Sequence, residues 1–579
     1  MIKKPTLVRR LFTSRVDPDF DPERDIAAGP WCFIGREDIS CEWEELPYYN
    51  PFPNPKDQMI ADRDTRLLAN HIAWSMADGL NQEHGTQYSS LFWRNNLILW
   101  LVAAVQANWR CYLNLDLLVT ANLKDSFMVP VLDDVPEWEF LSLSEFMTAL
   151  NRNSEFNYWM SSALIKKLAP GHWRLVPTMQ KKVDCPLRKQ QARPQTTRVR
   201  ISRWLSRMGF GSVLGVKFSR PLFSAIISLL PRRPALRKPL APNASILKSF
   251  PTPFLESLEL FLQATRPASF GKNFKAIERE ARKLPYFSGR ITVTAFNEDP
   301  LDQMITALAV ENGERIIGLQ HGAWHGMVIT APWSGETEHT HEGAFTWGWE
   351  KQPNISGTAT PLPSPFLSSL QNKHRFLTSD LIFVGTQMMV QNDRIESRPY
   401  AKQWLKYRQM KLVFINHLSD DLLNFLSYRP YLRTAQTFRD AEYLKQYVPN
   451  LKILSEPLLK NILCCRLLVL DHPGTTFHIA MAANIPTICF WDPSSWPINP
   501  NTQPLLDDMM RAGILFTNPV GAAEKINTIW KDVPGWWQSG AVQQARGKFS
   551  HLHARTSSIW WWHWIRALIH HGRKNTLPD

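Results

Sequence analysis

The sequence predicts a mixed α/β fold: two Rossmann-like lobes facing a cleft, with a helical N-terminal part and a basic insertion. Three observations carry this prediction. Short, continuous apolar runs alternate with amphipathic stretches over 290–322 and again over 379–492, the pattern of βαβ units whose parallel strands are covered on both faces. Helical periodicity fills 60–125. The positive charge of the chain is gathered into one segment, between Arg174 and Lys248.

In the helical part, TRLLANHIAWSMADGL and SSLFWRNNLILWLVAAVQANW place apolar residues at i, i+3 and i+4. The longest apolar run, Leu97 to Val105, ends at Gln106 and Asn108. It is far shorter than the about 20 residues that cross a bilayer. The first residues, MIKKPTLVRRLFTSRV, are basic without an apolar core, so no secretory signal is expected. Seven cysteines without a C-x-x-C pair argue against a disulfide scaffold and a zinc ribbon. A soluble, cytoplasmic protein is expected.

The 66 Lys and Arg against 52 Asp and Glu give a net charge of +14. The stretch 174–248 alone holds 17 basic residues and one acid, Asp184. Within it, RISRWLSRMGFGSVLGVKFSRPLFSAIISLLP interleaves basic with apolar side chains. Such a segment is either a solvated insertion or one that lies on an anionic membrane surface. Nucleic acid is not expected, because no recognition module accompanies the charge.

Helical spacing returns at FLESLELFLQA and GKNFKAIERE, after which ITVTAFN, PLDQMITALAVENG and RIIGLQHG read as strand, helix, strand and loop. LIFVGTQ (381–387), KLVFINH (411–417), LKILSE (451–456), CRLLVLDH (465–472) and PTICFWD (486–492) read as strands, with helices over YLRTAQTFRDAEYLKQYV and TTFHIAMAAN. The domains expected are an N-terminal lobe over 1–350 carrying the insertion, a Pro/Ser/Thr-rich linker over 351–378, a C-terminal lobe over 379–545, and a helical tail over 546–579.

The sharpest chemical signal is Asp471-His472-Pro473-Gly474-Thr475-Thr476 between a strand and a helix. Ligands of open α/β sheets bind beyond the carboxyl ends of strands. Gly474 permits close backbone approach, the helix start offers N–H groups to an anion, and Thr475, Thr476 and His472 add side-chain donors. The alternative is that a threonine merely caps the helix. In the other half, Gln320-His321-Gly322 and His325 follow the strand RIIGL, which places a histidine at a strand end facing the cleft. Glu336, Glu338 and His339 follow in a loop. Their spacing does not put them on one helix face, so no metal is expected, and a general base is the better reading. Arg429, with Arg433 and Arg439, is a candidate partner for phosphate or carboxylate. The chain lacks G-x-x-x-x-G-K-[ST], G-x-G-x-x-G after a strand, and G-x-S-x-G, which argues against a P-loop NTPase, a Rossmann dehydrogenase and an α/β-hydrolase. The absence of D-x-D beside a predicted strand points to metal-independent chemistry.

The ordered blocks GPWCFIG (29–35), LFWRNNLILWLV (91–102), EFNYW (155–159), GLQHGAWHG (318–326), E-x-x-H (336–339), FTWGWE (345–350), DHPGTTFHIAMAANIPTICFWD (471–492) and GWW (535–537) resemble a bacterial transferase family. That family is found with surface-polysaccharide and nonulosonic-acid genes and looks like GT-B glycosyltransferases. The resemblance implies a nucleotide-sugar donor, a glycan or glycoconjugate acceptor, and no cofactor; between a CMP-activated nonulosonic acid and a UDP- or GDP-sugar, the first is favoured slightly. On such a fold the catalytic residues expected are Glu336, Glu338 or His321, to take the acceptor's proton, and His472, to stabilise the leaving group. Donor binding falls to Asp471, Pro473, Gly474, Thr475, Thr476, His478 and Arg429, and the acceptor side to Gln320, Gly322, His325 and His339. The His472-Pro473 pair is similar to the histidine–proline motif of bacterial sialyltransferases. GT-B enzymes commonly carry a ribose-binding glutamate where this chain has Ile479, beside His478. Two other readings are a CDP-polyol phosphotransferase on the same scaffold and a non-catalytic, membrane-peripheral assembly protein.

Overall fold

The structure is a computed structural model. It describes residues 9–573 apart from 40–41, 133–137, 179–209, 214–215, 220–243, 284–290, 296–297, 314, 331–332, 339–342, 353–357, 388–394 and 432–437. Most of the basic insertion lies outside the described residues.

In the helical part, several helices pack on a long central one. α1 (Pro55–Ser75) starts where the Asn54 side chain accepts from the Asp57 N–H, with proline in the first turn. α2 (Ser90–Ala121) starts at a Ser89 cap. Its apolar residues run all round the helix and Leu97 through Val105 are buried, so the longest apolar run of the sequence is a central core helix and not a membrane span. α3 (Thr252–Thr265) packs against α2. Among the described residues no helix is long and apolar enough to cross a membrane.

Two parallel sheets follow. The first contains β1 (Ile291–Ala295), β2 (Arg315–Leu319), β3 (Gly343–Thr346) and β4 (Ala359–Pro361), in the order β4-β3-β2-β1. The helix α4 (Pro300–Glu311) crosses from β1 to β2 and packs on α2. A single helical turn, α5 (Ser334–Thr337), precedes β3. The second sheet contains β5 (Leu381–Val384), β6 (Leu426–Arg429), β7 (Lys452–Ile453), β8 (Leu467–Leu470), β9 (Thr487–Phe490) and β10 (Leu515–Phe516). Its order is β7-β6-β5-β8-β9-β10. The order reverses between β5 and β8, so the loops after these two strands diverge and leave a crevice, the position where open α/β sheets bind ligands. The strands LIFV, LLVL and TICF are buried at every position, as a sheet covered on both faces requires.

Several elements differ from the sequence expectation. KLVFINH is the C-terminal part of a helix, α6 (Lys402–Asn416), whose buried residues Trp404, Leu405, Arg408, Lys411, Phe414 and Ile415 recur at helical spacing. Four apolar residues in succession imitate a strand when the buried arginine and lysine of that face are read as solvated. The strand next to β5 is instead LSYR of β6, too polar and too short to announce itself. The helix expected over 431–448 is described as α7 (Asp440–Tyr447). The stretch expected as a linker carries β4 and a short helix, Pro365–Leu370. After α8 (Thr475–Ala483) and the second sheet, the chain forms α9 (Gly540–His553) and α10 (Trp560–Arg573). Trp564 and Leu568 of α10 are buried with Ile317, Leu319 and Phe345 of the first sheet, so the tail returns to the N-terminal half.

His478 of α8 and His553 of α9 are buried on either side of Phe549, with ring centroids 5.3 and 5.5 Å away. Burial pushes the His478 imidazole down to about 4 and the His553 imidazole, further opposed by His478, down to about 3. Both are therefore neutral in the fold at pH values where the unfolded chain binds a proton. Stability should be full above the ordinary histidine value of about 6.5 and fall as pH drops toward 4. Urea unfolding of His478→Phe between pH 7 and 4.5 should lose a smaller share of its stability than the parent protein. An unchanged slope would contradict this assignment.

Candidate active site

A cavity of about 600 Å³ lies at the carboxyl ends of strands from both sheets. The loop after β2 contributes His321, Gly322, Ala323, Trp324 and His325. The second sheet contributes Gly385, Thr386 and Gln387 after β5, Arg429 at the end of β6, and His472, Gly474, Thr475 and Thr476 at the start of α8. Trp333, Glu396, Arg398, Trp404 and Trp496 are also part of the wall.

His321 is half-exposed into this cavity, with its Nδ1 2.5 Å from Oε1 of the fully buried Glu338. With the Nδ1 proton donated to the carboxylate, Nε2 is left as the acceptor nitrogen of the ring. Gly318 of β2 creates this pairing. A Cβ at that position would stand 1.6 Å from the Glu338 carbonyl oxygen, so only glycine lets the backbone after α5 cross the strand. His325 Nδ1 lies 3.5 Å from Glu338 Oε2. The donor atoms of His321, His325 and Glu338 all fall within 4.8 Å of one another, the single such group among the described residues. Two imidazoles and a carboxylate are a donor set that suits a divalent ion. The 2.5 Å contact, however, is hydrogen-bond length, shorter than the spacing of two ligands that share an ion at about 2.0–2.2 Å each.

Gln320 does not reach the cavity. It is buried and fixes the loop: Oε1 accepts from the Trp347 N–H at 2.7 Å and from the Trp349 indole at 2.9 Å, while Nε2 donates to the Gly322 carbonyl. Glu336 is likewise removed from the cavity. Its carboxylate accepts from Arg66 at 2.8 Å, Arg94 at 2.5 Å and Asn70 at 2.9 Å. It ties α5 to α1 and α2, and a carboxylate so engaged is not placed to take a substrate proton. His339 lies outside the described residues.

On the other side, Asp471 ends β8 fully buried and does not line the cavity. It accepts from the Thr386 N–H at 3.0 Å and from His472 Nδ1 at 2.9 Å. The fully buried Lys411 of α6 stands 3.7 Å from Asp471 and bonds to Asp440 and the Thr386 carbonyl. Burial opposes the Lys411 charge, but Asp440, Tyr428 and Asp471 outweigh it and hold the ammonium above the ordinary lysine range. Gly474 leaves room for the His472 ring, whose Nε2 a Cβ there would meet at 2.4 Å. Pro473 is buried behind the loop. Thr475 Oγ1 accepts from the Ala323 N–H at 3.3 Å and links the two loops. His478 and Ile479 do not reach the cavity. The His478 Nδ1 contacts the Gly474 carbonyl at 3.3 Å, and its ring faces Trp347 and Phe549 in the core, which leaves neither residue to take the ribose role. Arg429 lines the wall and donates to the Leu454 carbonyl at 3.0 Å.

Sequence reasoning missed Lys411, Arg398, Trp404 and Trp496. Lys411 was hidden by the strand reading of 411–417, and Trp404 by the absence of any element read before it. Arg398, pushed down to about 10 by burial and by Arg110, sits in a stretch without apolar periodicity. Two substitutions test the geometry. Gly318→Ala should lower stability by about 3 kcal/mol or more, since backbone on backbone cannot relax as a side chain does. Lys411→Met should lower it by about 3 kcal/mol, because it removes the buried ammonium shared by Asp440 and Asp471 and leaves Asp440 with Arg408 alone as its cation. Urea titration reads both, and near-neutral values would contradict the packing described.

The arrangement offers two imidazoles, each backed by a buried carboxylate, and a helix start carrying the Thr475 and Thr476 hydroxyls, a set suited to moving a proton beside an anion. No curated protein matches the chain. The family model described as "LIC12162 family transferase" matches residues 9–568. With nearly the whole chain covered, this protein belongs to the LIC12162 family of transferases.

Proposed function

We propose that this transferase moves a sugar from a nucleotide donor to a hydroxyl of a glycan or glycoconjugate, with its two sheets acting as the lobes of a GT-B-type enzyme. One observation carries the reading: the His321–Glu338 and Asp471–His472 pairs, each at the end of a strand in a different sheet, bring both histidines into the same cavity. His321 takes the proton of the attacking hydroxyl, and Glu338 holds the imidazolium that forms. As the bond from the sugar to the nucleotide phosphate breaks, the leaving oxygen gains charge. The N–H groups at the start of α8 and the hydroxyls of Thr475 and Thr476 stabilise it there, as does His472 when its Nε2 also carries a proton while Nδ1 donates to Asp471. Arg429 adds positive charge to the same wall, and Arg398 stands there 3.8 Å from Glu396. The donor favoured is a CMP-activated nonulosonic acid.

A second reading, phosphoryl transfer from a CDP-polyol, draws on the same pair of histidines. Phosphate in the product linkage would select it.

Nucleotide binding gives the test. At about 100 times its Kd, a ligand stabilises the fold by about 2.7 kcal/mol. A thermal-shift panel of CMP, CDP, UDP and GDP should show selective stabilisation by CMP that is lost in the His472→Ala, Thr475→Ala double variant. His321→Ala should keep that shift while turnover falls by about 10²–10⁴-fold. If none of the four nucleotides raises the melting temperature, the nucleotide-sugar reading fails.

A further inference from the structure

The cavity has two unlike ends on the second sheet. The strand order β7-β6-β5-β8 sets the loops after these strands side by side, about 4.8 Å apart at each step. At the β8 end stand His472, Gly474, Thr475 and Thr476, and there the loop that carries His321 meets them, through the Ala323 N–H and Thr475 Oγ1. At the other end, the chain leaving β6 contributes Pro430 and Tyr431, and the short helix after β7 (Leu458–Ile462) contributes Leu458. Arg429 borders this end and donates to the Leu454 carbonyl. Hydroxyl and imidazole groups thus give way to a phenol ring and apolar side chains two to three strands away, over about 10–15 Å.

Tyr431 is the open ring of the wall. Trp404 and Trp496 are buried, Trp324 and Trp333 are partly buried, and Tyr431 stays 41% exposed. Its place along the sheet matters for a donor whose phosphate lies at the start of α8. The sugar of that donor points to His321, so the ribose and base leave the phosphate on another side. The loop after β9 brings only the buried Trp496 to the wall among the described residues. The remaining direction runs over Gly385 and Thr386, at the end of β5, and reaches Tyr431.

We infer that the Tyr431 ring is the stacking face for the donor's nucleobase, with half-buried Leu458 as the apolar side of the same end. The inference rests on the nucleotide-donor reading above and adds the residue that holds the base. Every base has a π-face, so the ring sets affinity and leaves the choice among bases to groups that meet their edges. Calorimetric titration of the full-length protein with CMP, CDP, UDP and GDP tests it, with ribose 5-phosphate as the ligand that lacks a base. Tyr431→Ala should weaken each nucleotide that binds the parent by about tenfold or more, keep their order of affinity, and leave ribose 5-phosphate as it was. Tyr431→Phe, which keeps the ring, should bind nucleotides as the parent does. Both variants should melt with the parent when no ligand is present, since the side chain is exposed. Nucleotide binding that is unchanged in Tyr431→Ala would overturn the inference and leave the donor reading intact. An equal loss in Tyr431→Phe would also overturn it, because the hydroxyl would then be the contact. If no nucleotide binds the parent, the donor reading itself fails, and the inference falls with it.

Discussion

The carboxylate of Glu336, held between the guanidinium groups of Arg66 and Arg94, fixes how the helical part meets the first sheet. All three side chains are buried. Their desolvation costs several kcal/mol per ion, and only close pairing offsets it. The energy is specific to one geometry, because a small shift of α5 against α1 and α2 would leave charge buried without a partner. Two residues after Glu336 the chain reaches Glu338, whose backbone lies across Gly318 and whose carboxylate holds His321. The orientation of a cavity-facing histidine therefore rests on an ion cluster formed by two helices that themselves never touch the cavity.

The second sheet reaches the same end by another route. Asp471 is a buried carboxylate at a strand end, and the ammonium that stabilises it comes from Lys411 on a neighbouring helix. Tyr407 of that helix also donates to the Asp471 carbonyl at 2.6 Å. In both halves a buried cation from a helix fixes an acid-bearing loop, and a buried acid fixes a histidine. A ring held by such a contact cannot turn to present its other nitrogen without losing a charge-assisted hydrogen bond.

These dependencies explain what the sequence made legible. The strands of the second sheet near the crevice, LIFV, LLVL and TICF, are apolar at every position and stand out in any reading. The glycines beside His321 and His472 mark loops where backbone comes close to side chains, and both histidines line the cavity. Roles within the motifs were less legible. Glu336 and Glu338 are two residues apart with the same functional group, yet one meets arginines from residues 66 and 94 and the other meets a histidine from residue 321. His478 follows His472 by six residues but points into the core, because it falls on the α8 face opposed to Phe549. Lys411 was misread because a buried lysine breaks the pattern that identifies a helix face. Partners brought together across hundreds of residues decide such cases, and periodicity does not carry that information.

The loop of residues 320–326 shows what the arrangement favours. Trp324 adopts φ +80°, a region costly for a bulky side chain and maintained only where the surroundings impose it. Those surroundings are Gln320 bonded to Trp347 and Trp349 on one side, with Gln352 accepting from the Gly326 N–H at 2.6 Å and Asn499 donating to the Gly326 carbonyl at 2.9 Å on the other. Asn499 comes from the half of the chain that forms the second sheet, as does Thr475, which meets the Ala323 N–H. The same loop that carries His321 is thus fixed from both halves of the protein. A rim held this way presents its donors and acceptors in one geometry before any ligand arrives. Little reorganisation is left for the step in which charge develops, and preorganised polar groups are most effective under that condition.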